Sequence, residues 1–104
     1  MLMYLTHLYE YFKTDTKNAR ELKEYMSDPT YKIIEDKNID NCLFVRKYGS
    51  FDIAYHEVGI VYSDKPYILI ILTEKGKLPD ERRKEFINRV ARKISKIHSK
   101  LNDE

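Results

Sequence analysis

The sequence predicts an α+β fold: an antiparallel sheet with a C-terminal helix packed on one face and short N-terminal helices on the other side or end. Apolar residues recur at helical spacing near both ends of the chain, which indicates amphipathic helices there. Between them lie three segments rich in β-branched and aromatic residues. A chain of 104 residues is about the size of one domain. We therefore expect a single domain over residues 1–104, with a helical segment at 1–36, a three-stranded antiparallel sheet at 42–73 and a terminal helix at 80–101.

The helical segment is predicted to contain three short helices. A first apolar pattern is interrupted by Thr14, Asp15 and Thr16. Either Asp15 or Thr16 can cap a second helix, because its side-chain oxygen can accept a hydrogen bond from a free amide of the first turn. Asp28 and Pro29 predict a third helix, because proline is well accepted in a first turn. The apolar positions of the three helices are Leu2, Leu5, Leu8, Tyr9 and Phe12, then Ala19, Leu22, Tyr25 and Met26, then Ile33 and Ile34.

The sheet is predicted from three consecutive strand-like segments that follow a polar loop at 36–41. A hairpin turn at 63–66 contains Ser, Asp, Lys and Pro, residues that favour turns, and it joins the second strand to the third. The predicted strands are 42–48, closed by Gly49, then 55–62 and 67–73. Asp80 is then expected to cap the long terminal helix. The apolar stripe of that helix is Phe86, Ile87, Val90, Ala91, Ile94, Ile97 and Leu101.

The third strand is apolar on both of its faces. Its residues 67–72 do not alternate between apolar and polar, which is typical of a strand covered by protein on both sides. Three sequential antiparallel strands nevertheless leave the third at an edge, and native proteins avoid long hydrophobic edges. The sequence therefore predicts a partner for strand 67–73, either a second copy of the chain or a missing N-terminal half.

Composition and charge narrow the possible classes of protein. Cys42 is the only cysteine, so neither an internal disulfide nor a thiolate metal site can form, and a buried inert thiol is expected. A net charge of +2 does not by itself indicate nucleic-acid binding, and the basic residues of the last helix are interpreted as a solvated face. The aliphatic run at 68–72 is too short to span a bilayer, and the first residues lack the basic region and cleavage site of a signal peptide, so we expect none there. We expect no nucleic-acid or membrane partner and a cytoplasmic location for the chain as written.

From Arg46 onward the sequence is similar to the end of class A serine β-lactamases and their penicillin-binding relatives. Lys47-Tyr48-Gly49 stands where that family has Lys-Thr-Gly or Lys-Ser-Gly. The segments Val58-Gly59-Ile60-Val61 and Pro66 to Thr73 follow in the family's order, and Asp80-Glu81-Arg82 opens the terminal helix. The N-terminal helices also resemble the helical segment that precedes this strand in the family, so the resemblance covers nearly the whole chain.

The resemblance implies roles for four consecutive residues. Lys47 would be the cationic lysine that binds the substrate carboxylate, and Gly49 would let the substrate approach the strand closely. Ser50 would supply a backbone N–H to the oxyanion hole. Tyr48 replaces the family's Thr or Ser, and its phenol oxygen lies farther from the backbone than a Thr hydroxyl. Without the resemblance, Lys47 would be an ordinary strand-end lysine in contact with solvent.

The family's nucleophile motif is absent from this sequence. Catalysis in the family needs Ser-x-x-Lys and a Ser-Asp-Asn-like triplet besides the Lys-Thr-Gly strand, because a serine hydroxyl is a weak nucleophile without a neighbouring base. None of the five serines has Lys three positions later, and Ser63-Asp64-Lys65 only mimics the triplet, within a predicted hairpin turn. The resemblance therefore implies the C-terminal, substrate-side portion of a hydrolase of β-lactams or cell-wall peptides, inactive as this chain alone. Met1 would then be an internal start or the chain a fragment, and a full-length parent would be extracytoplasmic.

Other interpretations of the sequence remain open. The chain could be a small non-catalytic module that binds a partner through the open strand edge or the basic terminal helix, or a nucleic-acid binder that uses this helix. The pair His56 and Glu57 cannot hold one ligand together, because adjacent strand residues point to opposite faces. His7 and His98 have no further ligands at metal spacing. The family's chemistry needs only side chains and water, so no metal and no organic cofactor is implied.

Overall fold

The computed structural model describes residues 1–29, 32–50, 54–74 and 79–102. Two helices lead into a three-stranded antiparallel sheet, and a long helix closes the chain, so the predicted α+β fold is confirmed. The elements are α1 (Leu2–Lys13), α2 (Lys17–Ser27), a short 3-10 helix (Asp36–Ile39), β1 (Leu43–Ser50), β2 (Ala54–Tyr62), β3 (Tyr67–Glu74) and α3 (Asp80–Asn102).

Among the described residues the sheet has the order β1-β2-β3, so that β2 is central and the other two strands lie at the edges. Both pairs are antiparallel and continuous in register, with Lys47 opposite Val58 and Val58 opposite Ile70. Glycine is required at Gly59, since a Cβ there would lie 2.1 Å from the carbonyl oxygen of Val45. The two strands therefore approach each other more closely at this point than any side chain would allow.

Helices cover both faces of the sheet, with a separate apolar cluster on each. Because strand residues alternate between faces, Phe44 and Val61 lie on the face covered by α3, whereas Val45 and Ile60 lie on the face covered by α1 and α2. The cluster under α3 contains Ile33, Ile34, Ile39, Phe44, Val61, Leu69, Ile71, Ile87 and Ala91. The cluster under α1 and α2 contains Leu8, Phe12, Ala19, Val45 and Ile60. The N-terminal helices thus lie on the side opposite α3.

The N-terminal half agrees with the sequence except at its third predicted helix. The N-cap of α2 is Thr16, whose Oγ1 accepts a hydrogen bond from the amide of Ala19 at 3.2 Å. The prediction of an α-helix containing Ile33 and Ile34 is wrong, because these residues are not helical. Their amides bind a distant side chain, Glu57, instead of a preceding helical turn. The short 3-10 helix occupies most of the segment that the sequence predicted to be a polar loop.

β3 is an edge strand within the described part of the chain. Both of its faces lie near helices, and Leu69 and Ile71 are buried on the α3 face. On the other face Leu72 is 62% exposed. The predicted coverage is therefore found on the α3 face, whereas the other face is covered only in part, and no described element pairs with the outer edge of the strand.

Candidate functional site

Lys47 lies near the end of β1, on the face of the sheet that α1 and α2 cover. Its side chain is exposed, and it has no ion-pair partner among the described residues. It lines an open groove of about 480 Å³ that the N-terminal helices and β1 form together. The other residues that line the groove are Tyr4, Leu22, Tyr25, Met26, Asp28, Pro29 and Arg46. The resulting surface combines the amino group of Lys47, which is unpaired as far as the described residues show, with exposed aromatic and aliphatic side chains, notably Tyr25, which is 81% exposed.

Tyr48, Gly49 and Ser50 continue β1 beyond Lys47. Their backbones pair with Glu57, His56 and Tyr55 of β2, respectively. The surroundings of Tyr48, Gly49 and Ser50 beyond this backbone pairing lie outside the described part of the molecule. Their proposed roles therefore remain predictions, although all three positions lie on the same edge strand as Lys47.

The neighbouring Arg46 is buried on the opposite face of the sheet. Its side chain is 2% exposed, and its Nη1 donates to Glu57 Oε1 at 3.1 Å and to the carbonyl of Ile34 at 2.6 Å. Its Nη2 donates to Asp36 Oδ1 at 2.6 Å. The guanidinium carbon also lies 4.4 Å from the centre of the Phe44 ring. Two consecutive basic residues thus have opposite environments, because Arg46 is held by charge and hydrogen bonds whereas Lys47 is open to solvent.

The carboxylate of Glu57 is fully buried and bound by three donors. In addition to Arg46, it accepts the amide of Ile33 at 3.0 Å and the amide of Ile34 at 3.1 Å. A buried carboxylate is stable only when it is paired and hydrogen-bonded, and both conditions are met here. Glu57 therefore links β2 both to β1 and to the connection that precedes β1.

Asn88 of α3 binds the same connection from the other side. Its Oδ1 accepts the amide of Glu35 at 2.7 Å and the side-chain amide of Asn38 at 2.8 Å. Its Nδ2 donates to the carbonyl of Ile33 at 2.8 Å and to that of Lys84 at 2.8 Å. Within this irregular segment, the backbone of Ile33 to Glu35 thus forms hydrogen bonds with side chains of three different elements.

Asp36 completes the group of charges around Arg46. Partial burial alone would raise the pKa of its carboxyl group, but hydrogen bonds from Arg46 and Lys32 outweigh burial and hold the pKa below 3.8. Lys32 Nζ lies 3.3 Å from Asp36 Oδ2. Asp36 is consequently ionised at neutral pH and remains a charged acceptor for the guanidinium.

Comparison with known proteins identifies the family. A family model described as "Beta-lactamase enzyme family" matches residues 1–98 of the chain. The chain belongs to the beta-lactamase enzyme family. No curated protein and no solved structure matches the chain. The resemblance noted in the sequence is thereby confirmed at the level of a serine β-lactamase-like family.

His56, His98 and Cys42 are the other candidate residues of the sequence, and each has different surroundings in the structure. His56 is half-buried, and its neighbour Glu57 belongs to the opposite face of the sheet and is committed to Arg46. His98 donates from Nε2 to the carbonyl of Lys65 at 2.7 Å, which links α3 to the β2–β3 hairpin. Burial, together with the charges of Asp40 and Asp64, raises the pKa of the half-buried Cys42 thiol and so lowers its reactivity.

The described residues contain no group of three His, Cys, Asp or Glu side chains that could hold a metal ion. Among the same residues, none of the helices combines the length and the apolar character that crossing a bilayer requires.

Sequence reasoning missed the buried pair of Arg46 and Glu57. The alternation of β1 places Arg46 on the same face as Phe44, and the alternation of β2 places Glu57 on the same face as Val61. Opposite charges at inward positions of two neighbouring strands would have indicated an internal ion pair. The sequence therefore contained the two opposite charges at inward positions, but to pair them required the register of β1 and β2.

Proposed function

We propose that this chain is the substrate-side portion of a serine β-lactamase-like hydrolase, and that it does not catalyse hydrolysis alone. The proposed substrates are β-lactams or cell-wall peptides, both of which can present a carboxylate. In this proposal Lys47 binds that carboxylate, and the groove beside it receives the adjoining part of the substrate. The backbone amide of Ser50 would face the developing oxyanion.

The observation that carries the proposal is the exposed amino group of Lys47, which lies beside a groove on β1 and has no ion-pair partner in the described part of the chain. A charge-assisted hydrogen bond to a carboxylate is stronger than a neutral one, and it needs a cation that no internal carboxylate already neutralises. Arg46 does not meet this condition, because Glu57 and Asp36 bind it. Lys47 does meet it within the described part of the chain, since it is exposed and has no ion-pair partner there.

The proposed inactivity follows from the sequence. The chain contains no Ser-x-x-Lys, so no serine has the adjacent lysine that would take its proton. Incubation with a chromogenic cephalosporin should give no hydrolysis, and a fluorescent penicillin should leave the intact mass unchanged. A stoichiometric acyl adduct would contradict this part of the proposal.

The substrate-side role can be tested on the chain as it stands. Benzylpenicillin carries a carboxylate, and its titration into isotopically labelled protein should shift the NMR signals of Lys47 and of groove residues such as Tyr25. Lys47→Ala should abolish these shifts and leave the rest of the spectrum unchanged, because an exposed lysine contributes little packing. Lys96→Ala is the matched control, since Lys96 is also exposed but lies on α3. Equal titrations of both variants would refute the role of Lys47.

A larger effect is expected where a nucleophile-bearing segment is joined to this chain. Loss of a charge-assisted contact costs about 1.5–3 kcal/mol. This corresponds to a roughly ten- to over a hundred-fold decrease in kcat/KM for Lys47→Ala. Tyr48→Thr should raise turnover of β-lactams or leave it unchanged, because it restores the hydroxyl position of the family motif.

The exposed edge of β3 supports a second candidate function. The strand is eight residues long and Leu72 is 62% exposed, so the chain could serve as an interaction module that binds a partner by strand addition. This alternative does not involve Lys47. Binding that depends on β3 and not on Lys47 would favour it over the hydrolase proposal.

A further inference from the structure

The connection from Ile33 to Glu35 is irregular in structure but held by three side chains. Glu57 accepts the amides of Ile33 and Ile34, and Asn88 accepts the amide of Glu35. On the carbonyl side, Arg46 donates to Ile34 and Asn88 donates to Ile33. We refer to Arg46, Glu57 and Asn88 together as the connection clamp.

The clamp acts at two places that border the groove. Arg46 immediately precedes Lys47, so its four fixed contacts restrain the backbone from which the lysine projects to the other face. The connection itself follows closely after Asp28 and Pro29, which line the groove. One set of hydrogen bonds therefore restrains both the strand that carries Lys47 and the segment that follows the groove wall in sequence.

The geometry points to the connection clamp as a set of positioning residues for Lys47 and the groove wall. This inference rests on the proposed function, because the clamp acts on substrate only through Lys47. The ion pair between Arg46 and Glu57 does not by itself account for the clamp, since well-packed apolar side chains can replace a buried ion pair at little or no cost. Apolar side chains could not, however, bind the backbone amides and carbonyls of the connection in one fixed arrangement.

Hydrogen exchange of the backbone amides, measured by NMR on the full chain, tests the positioning directly. In Glu57→Gln the amides of the connection, and the β1 amides that pair with β2, should exchange at least about tenfold faster than in the unaltered protein. The β3 amides that are protected in the unaltered protein belong to the other strand pair and should keep their protection. If protection falls equally at these β3 amides, the clamp contributes only general stability and the inference is overturned.

Glu57→Gln leaves the buried Arg46 without its full counter-charge. If it does not fold for this reason, a second variant still decides the test. Asn88→Ala removes no charge and should speed exchange most at the amide of Glu35, which donates to Asn88, and also at the neighbouring amides of the connection, because the carbonyl of Ile33 loses its donor. Asn18→Ala, an exposed change on α2, is the control and should leave every exchange rate within a factor of about two.

Benzylpenicillin titration then separates this inference from the proposed function. If Asn88→Ala weakens binding at least about threefold while Lys47 is intact, the clamp positions the lysine. If Lys47→Ala abolishes binding but Asn88→Ala and Glu57→Gln leave it unchanged, the proposed function stands and the positioning role is refuted. If Lys47→Ala has no effect on binding, the proposed function fails, whatever the exchange pattern shows.

Discussion

Arg46 Nη1 lies 3.1 Å from Glu57 Oε1, and the two side chains are 2% and 0% exposed. The pair joins diagonal neighbours on β1 and β2, because Arg46 is opposite Gly59 in the register. Removal of one partner of a buried pair leaves the other charge uncompensated, which is more costly than the loss of the attraction itself.

Arg46→Met should therefore lower the free energy of unfolding by about 3–5 kcal/mol, measured by urea denaturation. Lys17→Met is the control, because Lys17 forms an exposed pair with Glu21 at 4.0 Å and should change stability by about 0.5 kcal/mol or less. Adding Glu57→Leu to Arg46→Met should not restore stability, since the amides of Ile33 and Ile34 would lose their acceptor. Full recovery of the free energy of unfolding in the double variant would show that the hydrogen bonds of the Ile33 and Ile34 amides contribute little to stability.

Gly59→Ala should separate β1 from β2. The added Cβ would lie 2.1 Å from the Val45 carbonyl oxygen, 2.7 Å from Phe44 Cε1 and 2.9 Å from the Cα of Arg46. Two of these atoms belong to the backbone and cannot turn aside, so we expect a loss of at least about 3 kcal/mol, the upper end of ordinary overpacking. A midpoint of urea unfolding equal to that of the unaltered protein would contradict the close approach of the two strands.

The regular elements could be predicted from the sequence, because their signals are local. The spacing of Leu5, Leu8 and Phe12 indicates a helix by itself, and Thr16 marks the start of the next one. The prediction of a helix at Ile33 and Ile34 was wrong, because their amides are bound by a carboxylate more than twenty positions away in sequence. No local sequence pattern indicates a hydrogen-bond partner so far away in the chain.

The candidate site was predictable only in part, for the same reason. Lys47 could be singled out from its short motif, and the structure places it exposed beside a groove. The contribution of Tyr25 to that groove depends on how α2 packs against β1, which helical spacing does not determine. The buried state of Arg46, one residue before Lys47, depends likewise on tertiary contacts with Glu57 and Asp36.

Acid should weaken the fold partly through Asp36. Burial raises the pKa of this carboxyl group, but hydrogen bonds from Arg46 and Lys32 outweigh it, so that the folded-state pKa lies below the ordinary value of 3.8. The stabilisation is therefore fully present above pH 3.8 and is lost as the pH falls through the folded-state pKa. The side chain is 43% exposed, so solvent screening keeps the effect modest.

Two variants check this dependence on pH. Asp36→Asn should flatten the acid side of the stability curve measured by thermal unfolding. In Lys32→Gln, NMR titration of the Asp36 carboxyl carbon should give a higher pKa than in the unaltered protein, because one of its two donors is lost. An unchanged pKa would mean that Arg46 alone accounts for the depression.

The edge of β3 should make the chain self-associate. Leu72 is 62% exposed on a strand without charged residues from Tyr67 to Thr73, and unpaired edges of this kind favour pairing with another chain. We expect a concentration-dependent dimer or higher species in analytical ultracentrifugation, which Leu72→Lys should suppress by placing a charge at the edge. Leu101→Lys is the matched control, because Leu101 is 63% exposed but lies on α3. Equal suppression by both variants would assign the association to general surface hydrophobicity, and a stable monomer at high concentration would show that the β3 edge does not drive self-association.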